Sequence, residues 1–324
     1  MISYRSHMYP DIGVPTSRRN ALRALAGVSI ASMTSITAFG CGNPENNPDV
    51  SVVLTLSEIL VGHHRVPFTL IDNEGSFIPG ALVKASFYKL RGKNDDFMFS
   101  TEVVGHSITT SRDHLHEDGQ VHKHTHTSGY YLAMGESFEP GLWRATLQIH
   151  PTNGREYTVS TFFEVNGQTK VPTVGAPIPP SVNPVSTNVS ELAEISTANS
   201  PVPGMYTHTI ATCLERAEPM VIAFSTPAFC RSRICGPVTA IVSELYDRWQ
   251  THVRFIHIEP FDLATARNDG QLTFTSVARE WHLETEPWIF VIDNNGRVSA
   301  RFEGMVSTME LEPAIKAVAG TYLS

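Results

Sequence analysis

The sequence predicts two domains, an N-terminal all-β sandwich and a C-terminal α/β domain. Three observations lead there. A chain of 324 residues leaves room for about two domains. Residues 50–166 alternate short runs rich in Val, Ile, Thr, Phe and Tyr with turn residues, and from residue 205 onward apolar residues recur at spacings of three and four. Apolar residues make up 41% and charged residues 17% of the chain, which excludes a largely disordered chain and a coiled coil. The net charge is −8, and residues 1–40 hold four Arg and one Asp, so the remainder carries −11. A nucleic-acid partner is excluded on that charge, since phosphate binding needs a basic surface.

In the first domain, strands are predicted over 51–60, 65–71, 80–90, 97–104, 129–134, 141–150 and 155–165, divided by Asp72-Asn73-Glu74-Gly75, Pro79-Gly80, Pro140-Gly141 and Asn153-Gly154. Seven short strands so punctuated point to a sandwich. Residues 171–203 carry seven Pro and no Lys or Arg, so 167–204 is read as an extended connector with a helical turn near 190–195. In 205–324 the predicted order is helix 205–216, strand 221–224, a helix from Pro237 through Trp249, strand 253–258, helix 275–282, and strands 287–293 and 297–303 around Asp293-Asn294-Asn295-Gly296. A last helix has Pro313 near its first turn and ends near Gly320. This order implies a mixed sheet with helices on both faces.

Residues 1–40 read as an export signal and 41–49 as a polar tether. Ser17-Arg18-Arg19 precedes a weakly apolar run from Ala24 to Phe39, and this layout resembles a twin-arginine signal. Gly40-Cys41 resembles the lipidation site of bacterial lipoproteins, with Cys41 as the lipid-bearing residue. The resemblance implies a protein on the outer face of the cytoplasmic membrane or in the periplasm, held to the membrane by lipid, where disulfides persist.

Cys230 and Cys235 lie between strand 221–224 and the following helix, with Cys235-Gly236-Pro237 at the helix start. Unpaired N–H groups at a helix N-terminus stabilise a thiolate, and Arg231 and Arg233 add positive charge. Cys235 is therefore expected to be the thiol of lowered pKa, and Cys230 to lack such donors. Five residues apart, the pair can reach disulfide distance; a plain staple or two inert thiols are the alternatives. Cys213 reads as a small buried apolar residue.

Cys235-Gly236-Pro237 after a strand, together with Thr285-Glu286-Pro287-Trp288-Ile289-Phe290-Val291-Ile292-Asp293, resembles the thioredoxin-like superfamily over 205–324. The resemblance implies an α/β thioredoxin-like fold, a cis-proline at Pro287 facing the cysteines, and thiol-disulfide exchange through Cys230 and Cys235 with extracytoplasmic protein thiols or disulfides. Val238 stands where thioredoxins carry their second cysteine, which leaves the attacking and resolving roles open. Sco-type copper chaperones are similar too. That resemblance implies copper binding by Cys230, Cys235 and His282 and delivery to a copper-accepting protein, a site that thiolate and imidazole ligands suit. His257, inside an apolar strand, reads as structural. A scaffold without catalysis is the third reading.

Five of the fourteen histidines are His114, His116, His122, His124 and His126. A hairpin with its loop at Glu117-Asp118-Gly119 would pair His114 with His122 and put all five on one face, a candidate Cu(II) or Zn(II) site. A solvated loop is the alternative. The first domain also resembles the Ig-like modules of extracytoplasmic metal-related proteins, which implies an Ig-like sandwich.

The targeting segment yields the first prediction. Cys41→Ala should move the protein from the membrane fraction to the soluble exported fraction, and Arg18→Lys with Arg19→Lys should stop export. Cell fractionation reads both, and a Cys41→Ala protein that stays membrane-bound refutes lipid anchoring.

Overall fold

A computed structural model describes residues 49–324 except 63, 93, 116–120, 136–137, 153, 231–233 and 323–324. Residues 1–40, read from sequence as an export signal, and Cys41, His116, Arg231 and Arg233 lie outside the described residues. Residues 48–324 form one compact unit. Its strands are β1 (Val50–Leu54), β2 (Ile59–Leu60), β3 (Arg65–Asp72), β4 (Leu82–Arg91), β5 (Asn94–Leu115), β6 (Val121–Met134), β7 (Gly141–His150), β8 (Tyr157–Asn166), β9 (Met220–Phe224), β10 (Arg254–Ile258), β11 (Trp288–Ile292) and β12 (Val298–Glu303). Helices are α1 (Leu192–Ile195), α2 (Ile210–Glu215), α3 (Cys235–Trp249), α4 (Leu263–Asp269), α5 (Ser276–Glu280) and α6 (Thr308–Tyr322).

The first eight strands form a single curled mixed sheet in the order β1-β3-β6-β5-β4-β7-β8-β2. The expected Ig-like sandwich of two separate sheets is not what forms, and β5 is the reason. Its first half pairs with β4 from Val103 to Asn94, and its second half pairs with β6 from Val104 to Leu115. One 22-residue strand thus runs through both layers and joins them. Alternation still points every second side chain inward: Val66, Phe68 and Leu70 of β3, Val83, Ala85 and Phe87 of β4, and Trp143, Ala145, Leu147 and Ile149 of β7 share one core. Each such large side chain contributes about 1.5–3 kcal/mol on burial. Beyond the reach of β3 and β4, the paired ends of β5 and β6 continue as a two-stranded ribbon carrying the histidines.

The second sheet has the order β10-β9-β11-β12, with β9 and β10 parallel and β11 antiparallel to both neighbours. α3 and α6 cover one face through Val238, Val242, Leu245, Leu311, Ile315 and Val318. The other face packs on Cys213 and Trp281, and also on Val171 and Ile178 of the proline-rich run. That run does not hang free: Gly175 N–H donates to Val298 O at 2.8 Å and Val298 N–H to Ala176 O at 3.0 Å.

The expectation of an α/β thioredoxin-like domain is corrected as well. Helix makes up 23% of the described residues; among them only α3 and α6 reach 15 residues, and the other α-helices span four to seven. Twelve strands therefore make a sheet-rich protein. One of the two cores of the second sheet is shared, because Tyr130 and Leu132 of β6 pack into the cluster under α3 and α6. α6 starts before Pro313, which lies inside it. Ser307 and Glu310 explain that start: Ser307 N–H donates to Glu310 Oε2 at 3.1 Å and Glu310 N–H to Ser307 O at 3.1 Å, with the side-chain spacing of a capping box. Among the described residues, no helix is long and apolar enough to cross a membrane.

Charge joins the two sheets. Arg65 of β3, 8% exposed, donates from Nε to Glu310 Oε1 at 2.6 Å, from Nη1 to Glu303 O at 3.1 Å and from Nη2 to Met305 O. Tyr130 OH donates to the second Glu310 oxygen. Burial pushes the Glu310 carboxyl up, but the Arg65 charge and these hydrogen bonds outweigh it and hold it below the usual carboxylate range. Nearby, Glu303 accepts from Ser57 N–H at 2.9 Å and Glu58 N–H at 3.2 Å. Gly304 has φ +74, and a Cβ there would meet Thr55 O at 1.7 Å, so glycine is required where the two sheets touch.

Removing one partner of a buried pair strands the other charge. Arg65→Met should lower the unfolding free energy by about 3 kcal/mol, and Arg65→Met with Glu310→Leu should cost less than the single change. Urea unfolding of the three proteins measures this; a double variant less stable than Arg65→Met refutes it.

Candidate thiol site

Three strands deliver their ends to one place. Register aligns Phe224, the last residue of β9, with Ile258, the last of β10, and with Trp288, the first of β11. The segments that follow β9 and β10 and precede β11 therefore meet at one edge of the sheet, where the carboxyl ends of parallel strands commonly form sites. The first of these segments carries Cys230 and leads into α3. The last carries Glu286 and Pro287, joined by a cis peptide bond.

Cys235 opens α3 and is fully buried, whereas Cys230 is partly exposed. Neither is in a disulfide. The residue before α3, Ile234, offers no side-chain cap, which leaves the first-turn N–H groups in need of acceptors. One finds a sulfur: Cys235 N–H donates to Cys230 Sγ at 3.3 Å. This differs from the expectation of a lowered Cys235 pKa. The helix N-terminus serves Cys230, and the Cys235 thiol is pushed far above its usual range, first by burial, then by the hydrogen bond and charge of Cys230, with Glu286 adding to the effect and the Thr226 N–H opposing it. Burial outweighs the helix here because a thiolate loses more by leaving water than one oriented N–H returns.

Cys230 Sγ, Cys235 Sγ and a Glu286 carboxylate oxygen all lie within 4.8 Å of one another. These three residues could hold a metal ion. Glu286 was not singled out from sequence, although it directly precedes Pro287, which was. His282 is brought elsewhere: it is exposed just past α5, at φ +55, and is outside this cluster. In the histidine ribbon the register sets His114 opposite His122, Arg112 opposite His124 and Thr110 opposite His126. Positions 114, 122, 124 and 126 thereby fall on one face of the paired strands.

Behind Cys235 runs a buried polar chain. Thr239 Oγ1 donates to Cys235 O at 2.8 Å, Ser225 Oγ lies 2.7 Å from Thr239 Oγ1, and His257 Nε2 lies 2.9 Å from Ser225 Oγ. His257 Nδ1 meets Tyr206 OH at 2.8 Å, and Tyr206 OH meets Ser196 Oγ at 2.8 Å. Neutral imidazole fits this chain, with Nε2–H donating toward Ser225 and Nδ1 accepting from Tyr206. Burial lowers the His257 pKa to about 4 and raises that of Tyr206 to about 12. A second buried acid, Glu259, binds Thr197 N–H and Oγ1 at 2.6 Å each, and Thr197 Oγ1 accepts from Ala228 N–H at 3.0 Å. The loop toward Cys230 is fastened in this way. A groove of about 610 Å³ lies at another place, lined by Leu60, Arg65, Met134, Val174, Arg301 and Phe302; its two guanidinium groups are paired with Glu310 and Glu58.

No family model matches the chain, and neither curated proteins nor solved structures give a match.

The buried histidine sets a pH dependence. Its folded pKa lies below the unfolded value of about 6.5, so the unfolded chain binds the extra proton. Stability from this group is complete above pH 6.5 and is lost as pH falls toward 4, by about 3 kcal/mol in all. Glu259 and Glu303, raised by burial, act with the opposite sign in acid. The difference in unfolding free energy between parent and His257→Gln should therefore shrink as pH drops from 7 to 4. A difference that stays constant over that interval refutes a neutral His257.

Proposed function

We propose that the protein performs thiol-disulfide exchange with protein partners, with Cys230 attacking and Cys235 resolving. The single observation that carries this reading is the N–H of Cys235 donating to Cys230 Sγ, with the two sulfurs close enough to combine. An N–H aimed at a sulfur stabilises negative charge on it, and partial exposure lets a partner reach Cys230. The Cys230 thiolate attacks a partner disulfide, forms a mixed disulfide and releases one partner thiolate. Cys235 sulfur then attacks Cys230 Sγ; the second partner sulfur leaves as thiolate, and the proton of Cys235 passes to it. The partner disulfide is reduced to two thiols, and Cys230–Cys235 becomes the disulfide. The reverse sequence oxidises a dithiol. Export by the Arg18-Arg19 segment and a lipid at Cys41 would put this chemistry on the outer face of the membrane, where disulfides accumulate. Copper delivery has less support, because the third donor beside the sulfurs is a carboxylate rather than His282.

The roles are read by trapping. Cys235→Ser should accumulate a mixed disulfide with a disulfide-bonded protein substrate, and Cys230→Ser should form none. In the reduced parent, alkylation at pH 7 should label Cys230 at least tenfold faster than Cys235. Trapping by Cys230→Ser in place of Cys235→Ser reverses the assignment, and the loss of no exchange in either variant refutes the function.

A further inference from the structure

The geometry points to a zinc site in the reduced protein, formed by Cys230 Sγ, Cys235 Sγ and a Glu286 carboxylate oxygen, that excludes the disulfide while it is filled. The three donors come from separate parts of the chain: the loop after β9, the first turn of α3 and the entry to β11. They lie within 4.8 Å of one another. Tetrahedral zinc, with bonds of about 2.3 Å to sulfur and about 2.0 Å to oxygen, sets its donors about 3.5–3.8 Å apart. Closing the site therefore takes a movement of about 1 Å at most. Cys235 is held in the first turn of α3, and Glu286 lies in the bend two residues before β11; Cys230, on the loop after β9, is placed to make it.

Donor chemistry selects the ion. Two thiolates alone suit Cu(I) as well as zinc, but the third donor is a carboxylate oxygen, a harder ligand that zinc accepts readily and Cu(I) does not. Two thiolates and one carboxylate bring three negative charges, and a dication leaves one. Binding releases the two thiol protons, and no electron moves. Among the described residues three protein ligands converge, which leaves a fourth position for water or for a donor from a partner. Because zinc uses both sulfurs as ligands, the filled site cannot form the Cys230–Cys235 bond, and a disulfide cannot bind zinc. Binding stands independently of the exchange reading; only the block on exchange rests on it.

The full chain, reduced with a phosphine and stripped by a chelator, is titrated with Co(II) as the probe and then with Zn(II). The expected result is a sulfur-to-cobalt charge-transfer band that saturates at one equivalent and is abolished by Zn(II). The histidine ribbon cannot produce that band, since it has no thiolate. Cys230→Ser should remove the band, Glu286→Gln should weaken Co(II) binding at least tenfold, and Glu286→Asp should recover part of it. Circular dichroism of each variant verifies the fold. No band at one equivalent in the parent, or equal affinity in Glu286→Gln, overturns the site. Mixed-disulfide trapping by Cys235→Ser, done without metal, separates the two ideas: trapping without the band overturns zinc alone, and the band without trapping overturns exchange alone.

Discussion

The buried guanidinium of Arg65 is the contact on which the rest of the structure depends. Its two backbone acceptors, Glu303 O and Met305 O, flank Gly304, and Gly304 N–H donates to Pro287 O at 2.9 Å. A residue of the eight-stranded sheet thus fixes the turn after β12, and that turn fixes the segment bearing Glu286. Desolvating a guanidinium is costly, and here each of its three nitrogens has an acceptor. The large sheet is accordingly more than an appendage of the thiol site. It sets where one wall of that site stands.

Much of the local structure was legible. Apolar runs located β9, β10, β11 and β12, and the three- and four-residue spacing of Val238, Ile241, Val242, Leu245 and Trp249 located α3. The Ser307-x-x-Glu310 box could have placed the start of α6 correctly, but Pro313 drew the boundary inward. What escaped was non-local. Nothing in residues 94–115 states that one strand will cross from one layer to the other, because hydrophobic alternation is the same on either side of the crossing. The sharing of Tyr130 and Leu132 with the second sheet escaped for the same reason. The proline-rich run has the composition of a connector, yet Val171 and Ile178 are enough to seat it. At the thiols, the cysteines and Pro287 were visible as motifs. Which sulfur would be buried was not, since burial is decided by packing under α3 rather than by the five-residue spacing. Glu286 needed the β9–β11 register to bring it near.

The unequal burial of the two sulfurs has a consequence for oxidative damage. A peroxide can reach Cys230 but not Cys235. A sulfenic acid formed on Cys230 has a thiol within 4.8 Å and condenses with it to a disulfide and water, ahead of a second peroxide molecule that would carry it to the irreversible sulfinic acid. The hidden cysteine then acts as a built-in quencher, and the lesion ends as the same bond that a reductant reverses.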